Sequence, residues 1–353
     1  MIYLGLMSGT SLDGLDAVFC TFHPQENGYS YEILFGTTLE YDDETRNMLQ
    51  HAPFVNGEQL IFYDRKYGHY LGKKVAQLIE QTGITPDIIA SHGHTVFHAP
   101  DKKFTFQMGH GASIAAECDI SVMYDFRSLD VALGGHGAPL VPIGDKLLFP
   151  QFDACLNLGG FANVSLERNG KRIAWDICPV NFIANHLASK TSPPSGGLGG
   201  AVDYDGLIGA AGTIQKKLLD KLENLDYYQK KYPKSLGREW VESNMAFLLS
   251  EPEHSVEDML RTFYEHVALR ITNDVDIKSG KVLCTGGGVK NRFLMQCIQE
   301  KASWEAVIPE NELIDFKEAL IFAFLCFLKQ TGKSNCLASV TGASRDSRSG
   351  SVI

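Results

Sequence analysis

Residues 1–22 read MIYLGLMSGTSLDGLDAVFCTF, and the fold is decided in this stretch. Two apolar runs, 1–7 and 15–22, flank the polar SGTSLDG. Apolar runs of strand length bounded by Gly, Ser, Thr and Asp predict two strands joined by a tight turn. The pattern returns in mid-chain, where 153–158 and 161–167 flank a Gly-Gly turn. Further strands are expected at 31–41, 87–90, 104–108, 120–124, 172–176 and 281–284. Helices are expected at 43–51, 57–81, 112–118, 179–189, 204–225, 237–249, 255–278, 291–301 and 315–329. TSPPSGGLGG at 191–200 reads as a loop. This alternation predicts an α/β chain of two halves, each opening with a hairpin whose turn is rich in glycine. The repeat lies in pattern rather than in letters, with a boundary near 148–153.

Composition narrows the function. The 353 residues are 44% hydrophobic and 21% charged, a globular balance that excludes a disordered or fibrous chain. A net charge of −10 argues against a nucleic-acid partner, since phosphate backbones need a basic surface. A nucleotide is still allowed, because backbone N–H groups can hold it. The longest apolar run, 319–328, is too short to cross a bilayer. MIYLGLMSGT carries neither a basic segment nor a cleavage site, so no export signal is read there. None of the eight cysteines forms a C-x-x-C pair, and a reduced cytoplasm is the expected compartment.

Three glycine turns, each ending an apolar strand, are the first candidates for a ligand site. In Ser8-Gly9-Thr10-Ser11-Leu12-Asp13-Gly14 the glycines allow close approach, the hydroxyls can donate, and Asp13 could hold a hydrated Mg²⁺. Gly159-Gly160 and Gly286-Gly287-Gly288, the latter followed by Asn291 at a helix start, have the same character. Each alone could be a plain turn. No G-x-x-x-x-G-K-[ST], strand-following G-x-G-x-x-G or G-x-S-x-G occurs, which disfavours a P-loop, a dinucleotide site and a hydrolase elbow.

Asp176 closes the run RIAWD beside Trp175 and ahead of Pro179. Desolvation there would raise its pKa and suit general-base work; an N-cap for the following helix is the structural alternative. His92, His94 and His98 invite a metal reading, but no acid or cysteine completes the set, and a hydrogen-bonded loop is favoured. Arg127, between Asp125 and Asp130, could grip a carboxylate or phosphate, or sit in a structural salt-bridge cluster. The loop Gly134-Gly135-His136-Gly137 suggests tight packing or a ligand edge. Glu318, in the apolar run EALIFAFL, is either paired structurally or aimed at a site.

Taken together, these stretches resemble the anhydro-N-acetylmuramic acid kinases of the sugar-kinase and actin superfamily. The resemblance rests on LGLMSGTSLDGLDAV, SHGHTVFH, DFRSLDVALGGHGAPLVP, LNLGGFANVS, WDICPVN, PKSLGRE, CTGGGVKN, EALIFAFL and TGASRDSRSG, and so runs nearly end to end. It implies two actin-like (ribonuclease H-like) domains with a nucleotide and sugar cleft between them, at 1–150 and 151–336. The tail at about 337–353 is expected to return to the first. It implies a kinase that uses ATP and Mg²⁺, hydrolyses the 1,6-anhydro ring of anhydro-N-acetylmuramic acid and phosphorylates O6. The product is N-acetylmuramic acid 6-phosphate, in peptidoglycan recycling. The ATP segment maps onto Gly9, Thr10, Ser11, Leu12, Asp13, Gly14, Leu15 and Asp16, joined by Gly159, Gly160, Gly286, Gly287, Gly288 and Asn291. Asp13 is the Mg²⁺ candidate and Asp176 the general base. His94, Arg127, His136 and Glu318 are the candidate sugar contacts. The expected partners are a small-molecule sugar and a second copy in a homodimer, with no nucleic acid and no membrane.

The sequence departs from the family pattern at three places. Histidine replaces glutamine at His94 and His136, and Asn185 stands where a second aspartate is usual. These changes leave open an alternative, a nucleotide-binding regulator or a kinase of a different sugar; the retained Asp176 favours the kinase.

Overall fold

The computed structural model describes residues 1–9, 12, 14–190, 202–249 and 254–353. The TSPPSGGLGG stretch therefore lies outside the described residues. The chain divides into two compact units, Met1–Pro150 with Phe316–Ile353, and Gln151–Asp315.

The first unit is built on strands β1 (Tyr3–Ser8), β2 (Leu15–Gln25), β3 (Gly28–Leu39), β4 (Ile88–Ser91) and, after a separate hairpin of β5 (His94–Ala99) and β6 (Phe104–Met108), β7 (Val122–Tyr124). The sheet runs β3-β2-β1-β4-β7, with Ser351–Val352 added antiparallel at its edge. β2 lies antiparallel between β1 and β3, while β4 and β7 run parallel to β1. One face presents Leu4, Leu6, Leu15, Ala17 and Phe19 to the helix Gly57–Thr82. Tyr67, Leu71, Val75 and Leu78 recur there at helical spacing and complete the core. Asn56 caps the start of that helix by accepting from the Gln59 N–H at 2.9 Å. Gly83 (φ 69°) ends it in the left-handed conformation.

The other face takes the helix Asn311–Gln330, which the domain division of the sequence left with the second half. From Phe316 onward this helix belongs to the first unit. Gly5 lets the backbone at Ala319 lie directly on β1, and a Cβ on Gly36 would stand 2.7 Å from the Phe316 ring. Phe324 meets the rings of Phe22 (5.1 Å) and Tyr29 (5.2 Å), and Phe327 that of Tyr3 (5.9 Å). An apolar helix declares that it is buried, but not which sheet buries it.

The second unit repeats the plan with β8 (Ala154–Leu158), β9 (Phe161–Arg168), β10 (Lys171–Pro179), β11 (Lys281–Thr285) and β12 (Glu305–Val307). Its order is β10-β9-β8-β11-β12, the first three antiparallel and the last two parallel to β8. Both sheets therefore share one order, third-second-first-fourth-fifth, which makes this an α/β chain of two actin-like units. The helix Val256–Asp274 brings Leu260, Phe263, Tyr264, Val267 and Ile271 into a core with Leu156, Val164 and Trp175. The single helix expected at 204–225 is broken into Leu207–Ala211 and Lys216–Glu223. Between them the Thr213 N–H donates to Asp258 (2.7 Å) and the Gln215 N–H to Thr262 (2.9 Å). Side chains of the neighbouring helix thus take N–H groups that a continuous helix needs.

Candidate active site

In the second unit the glycine turns converge because β8 and β11 are parallel neighbours. Gly286 (φ 84°, ψ 159°) leaves β11, and a Cβ there would lie 2.6 Å from Asn157 Oδ1 and 2.8 Å from the Leu158 carbonyl. Gly288 is equally confined by Leu158. Gly160 and Gly287 are different: a Cβ would meet nothing within 4 Å at the first and only Asn181 Nδ2, at 3.7 Å, at the second. Packing explains the first pair, whereas the second borders open space where a ligand can approach backbone. The carbonyls of Gly159 and Gly160 accept from Asn181 (3.2 Å) and Val180 (2.9 Å), tying the turn to the helix Asn181–Ala188. Asn291 is a cap, accepting from the Leu294 N–H at 2.9 Å.

Strand register adds a polar row across this sheet. Asp176 on β10 pairs with Asn163, Asn163 with Asn157, and Asn157 with Thr285. Residues directly opposite share a face, so four polar side chains lie side by side opposite the core residues Trp175, Val164, Leu156 and Cys284. The Thr285 hydroxyl is fully buried, with no hydrogen-bond partner among the described residues.

Asp176 is a strand residue beside a bulge, not a helix cap; the helix that follows starts after Val180 with no side-chain cap. Its N–H donates to the Lys234 carbonyl (3.1 Å), and its carbonyl accepts from the Tyr227 hydroxyl (2.6 Å). Its Oδ2 accepts from the Leu236 N–H (2.8 Å). Burial pushes the carboxyl pKa up, and the Leu236 bond only partly opposes this. Oδ1 accepts no hydrogen bond among the described residues, so a carboxylate oxygen of this half-buried, basic side chain is left for a proton.

In the first unit, Thr10, Ser11 and Asp13 lie outside the described residues. Gly9 follows β1, and Leu12 (φ 60°) offers its carbonyl to Arg46 Nε at 3.4 Å. Gly14 is required by packing, since a Cβ would stand 2.6 Å from the Thr38 methyl. Leu15 is core, and Asp16 accepts from Thr38 Oγ1 at 2.6 Å.

The three histidines turn to three different partners. His92 Nδ1 lies 2.7 Å from the Gly93 carbonyl, while its Nε2 accepts from Arg127 Nε (3.1 Å) and Nη2 (2.9 Å). It is therefore neutral, as its burial and then Arg127 also require. His98 Nδ1 lies 3.0 Å from Thr105 Oγ1. His94 opens β5, 6% exposed, with Nδ1 3.2 Å from Ser8 Oγ. Ser8 in turn accepts from Tyr41, whose hydroxyl lies 2.8 Å from that of Tyr67. Burial lowers the His94 pKa to about 4, so histidine here is as uncharged as the glutamine usual in the family pattern.

Among the described residues Arg127 forms no ion pair. Besides His92 it donates Nη1 to the Gly137 carbonyl (2.6 Å), leaving two of its five N–H groups without a partner among the described residues. Burial lowers its pKa to about 10, and nearby Glu318 is first among the charges that oppose this. Glu318 keeps surface access, yet the protein packed around it raises its carboxyl pKa, against Arg127 and Lys317. The exposed His136 is held through its backbone by the Thr341 carbonyl (2.8 Å), in a loop tied down by Asp130. Asp130 itself accepts from the Gly137 N–H (2.7 Å), the Thr341 hydroxyl (2.8 Å) and Cys336 Sγ (3.0 Å). Arg127, His136, His98 and Glu318 are electrostatic neighbours. Sequence reasoning missed Tyr41, Tyr227 and the backbone at 234–236. Only PKSLGRE, as a family motif, pointed to the last.

Set against known proteins, residues 1–353 match the family described as anhydro-N-acetylmuramic acid kinase. The chain is 34% identical to the anhydro-N-acetylmuramic acid kinase of Aliivibrio fischeri, over 97% of this chain and 96% of that one. It is 32% identical to the protein of that name from Photobacterium profundum, over 97% and 96%. For Sulfurimonas denitrificans the figures are 29% identity over 99% and 98%.

Proposed function

The chain belongs to the anhydro-N-acetylmuramic acid kinase family, and on that premise we propose how its residues open the 1,6-anhydro ring of the sugar and phosphorylate it from ATP. Asp176 takes a proton from water as the water oxygen bonds to C1. The C1–O6 bond breaks, O6 attacks the γ-phosphorus of ATP, and ADP leaves. The product is N-acetylmuramic acid 6-phosphate, heavier than the sugar by one water and one phosphoryl group. The observation that carries this reading is the Asp176 carboxylate: desolvated, pinned at Oδ2, and open at Oδ1.

Gly9 to Asp16 and the turns at Gly159, Gly160 and Gly286 to Gly288 are the proposed holders of ATP, with Gly160 and Gly287 leaving room for it. Asn291, whose Oδ1 caps the helix after that turn, is proposed to join them at the nucleotide. Asp13 is the proposed partner of Mg²⁺, which would screen phosphate charge during transfer. His94 and the spare N–H groups of Arg127 are proposed to read sugar oxygens, with His136 and Glu318 beside them. Among the described residues no helix is long and apolar enough to cross a membrane. We place the reaction in cytoplasmic recycling of cell-wall sugar.

The test is ADP release from purified protein with Mg²⁺-ATP, with and without anhydro-N-acetylmuramic acid, and mass spectrometry of the sugar. Sugar-dependent turnover with the expected mass gain supports the reading. ATP binding without it would turn the assignment to a different sugar or to a regulator.

A further inference from the structure

We propose that Lys234 and Asp274 form a brace that positions the Asp176 carboxylate, a claim that rests on Asp176 being the base. Asp176 lies on β10, the edge strand of its sheet. At this edge its N–H, its carbonyl and its Oδ2 are all held by the segment running from Tyr227 to Leu236. Residues 230–237 have no helix or strand of their own, so side-chain ties must set where the Leu236 N–H points.

The ties meet at one oxygen. Asp274 Oδ2, at the end of the helix Val256–Asp274, lies 2.9 Å from Lys234 Nζ and accepts from Trp175 Nε1 at 2.9 Å. Trp175 precedes the base on its strand, and Lys234 supplies the carbonyl that accepts the base's N–H. One carboxylate thus fastens the strand to the loop on either side of Asp176. The side chains are 6% exposed for Lys234 and 17% for Asp274, so water competes little. Tyr232 stacks on Trp175 at 5.1 Å, and Lys234 Nζ lies 5.0 Å from the Tyr227 ring centre, which bring the same two segments together.

Without the brace the loop swings and the Leu236 bond to Oδ2 weakens. That bond favours the charged carboxylate, so its loss drives the Asp176 pKa further up. Among the described residues the titratable group that interacts directly with Asp176 is Tyr227, while Lys234 touches it only through its backbone carbonyl and Asp274 only by way of Trp175 and Lys234. Burial holds the Tyr227 hydroxyl protonated throughout the working range. The movement of Asp176 is therefore readable in the acid limb of kcat against pH.

The decisive variant is the double substitution Lys234→Met with Asp274→Asn. It leaves no buried charge unpaired, and neutral replacement of a buried pair is often tolerated by the fold. The Asn oxygen still accepts from Trp175. We expect a folded protein with kcat down about 10- to 100-fold, the scale of a small misplacement of a reacting group. The acid limb should move to higher pH while the KM for ATP stays within about twofold, and Lys234→Arg, which keeps the link, should recover most of kcat. A folded double variant with wild-type kcat and acid limb overturns the brace. One that no longer folds assigns the pair to stability and overturns it equally. Full turnover in Asp176→Asn would instead sink the reading of the base itself, so the two failures are distinguishable.

Discussion

Replacing Gly286 with alanine tests whether the turn after β11 is as constrained as its geometry says. At φ 84° and ψ 159° the residue occupies a region that only glycine visits without strain. An alanine held there costs about 1–3 kcal/mol. Its Cβ would also stand 2.6 Å from Asn157 Oδ1 and 2.8 Å from the Leu158 carbonyl. The latter is strand backbone and cannot swing away, so overpacking adds about 1–3 kcal/mol. A total near 4 kcal/mol is a large part of the roughly 5–15 kcal/mol that holds a domain together. For a unit of this size it should lower Tm by about 8–16 °C. Differential scanning calorimetry of Gly286→Ala beside Gly287→Ala is the assay. The second variant meets only Asn181 Nδ2 at 3.7 Å and should melt within a few degrees of wild type. It should nevertheless raise the KM for ATP, because its methyl enters the space assigned to the nucleotide. Equal melting of Gly286→Ala and wild type would refute the geometric argument.

Other outcomes follow from the same structure. Asp176→Asn should abolish sugar-dependent ADP release while calorimetric ATP binding is retained; unchanged turnover would remove Asp176 from the chemistry. In the wild type, kcat should fall on the acid side at a pH above the usual carboxylate range, because burial raises the pKa of a base that must be ionised to work. His94 is neutral when folded, with a pKa near 4, and binds a proton at about 6.5 when unfolded. Its stabilising contribution is complete above pH 6.5 and is lost as pH falls toward 4, by about 3 kcal/mol. Denaturant titrations of His94→Gln should show a shallower loss over that window, and identical slopes would count against a buried neutral ring. Asp130→Ala strands donors from Gly137, Thr341 and Cys336 in a site 1% exposed, at about 1–3 kcal/mol for each unpaired neutral group. Urea unfolding should show a loss of at least about 2 kcal/mol, and proteolysis after residue 336 should quicken.

What the sequence made legible is what local chemistry dictates. The helix at 43–51 falls where its cap and periodicity put it, with Asp42 accepting from the Thr45 N–H. The hairpin at each half's start was readable because strand and turn residues alternate over a short span. Long-range choices were not. The apolar run at 319–328 fits any sheet with a flat face, and distant partners, Gly5 and Gly36 some three hundred residues away among them, select the first unit. β12 was missed because Glu305–Val307 is too short to show a period. At the candidate site the acid itself was visible as a candidate, although a helix cap explained an aspartate after RIAW equally well. What holds it was not, because the Lys234 carbonyl and the Leu236 N–H belong to the backbone, which every sequence shares. Arg127 shows the same limit: its neighbours in sequence are acids, while its hydrogen bonds go to a histidine and a carbonyl.

The division into Gln151–Asp315 and a first unit completed by Phe316–Ile353 has a consequence for the order of assembly. On a ribosome the second unit is available in one continuous stretch, while the first waits with one side of its sheet bare until the helix from Phe316 has emerged. The segment translated first is thus the last to be finished, the reverse of the usual vectorial order. Nascent chains stalled with residue 315 just outside the exit tunnel should resist protease across 151–315 and remain cleavable within 1–150. Release of the final segment should close that window in a single step.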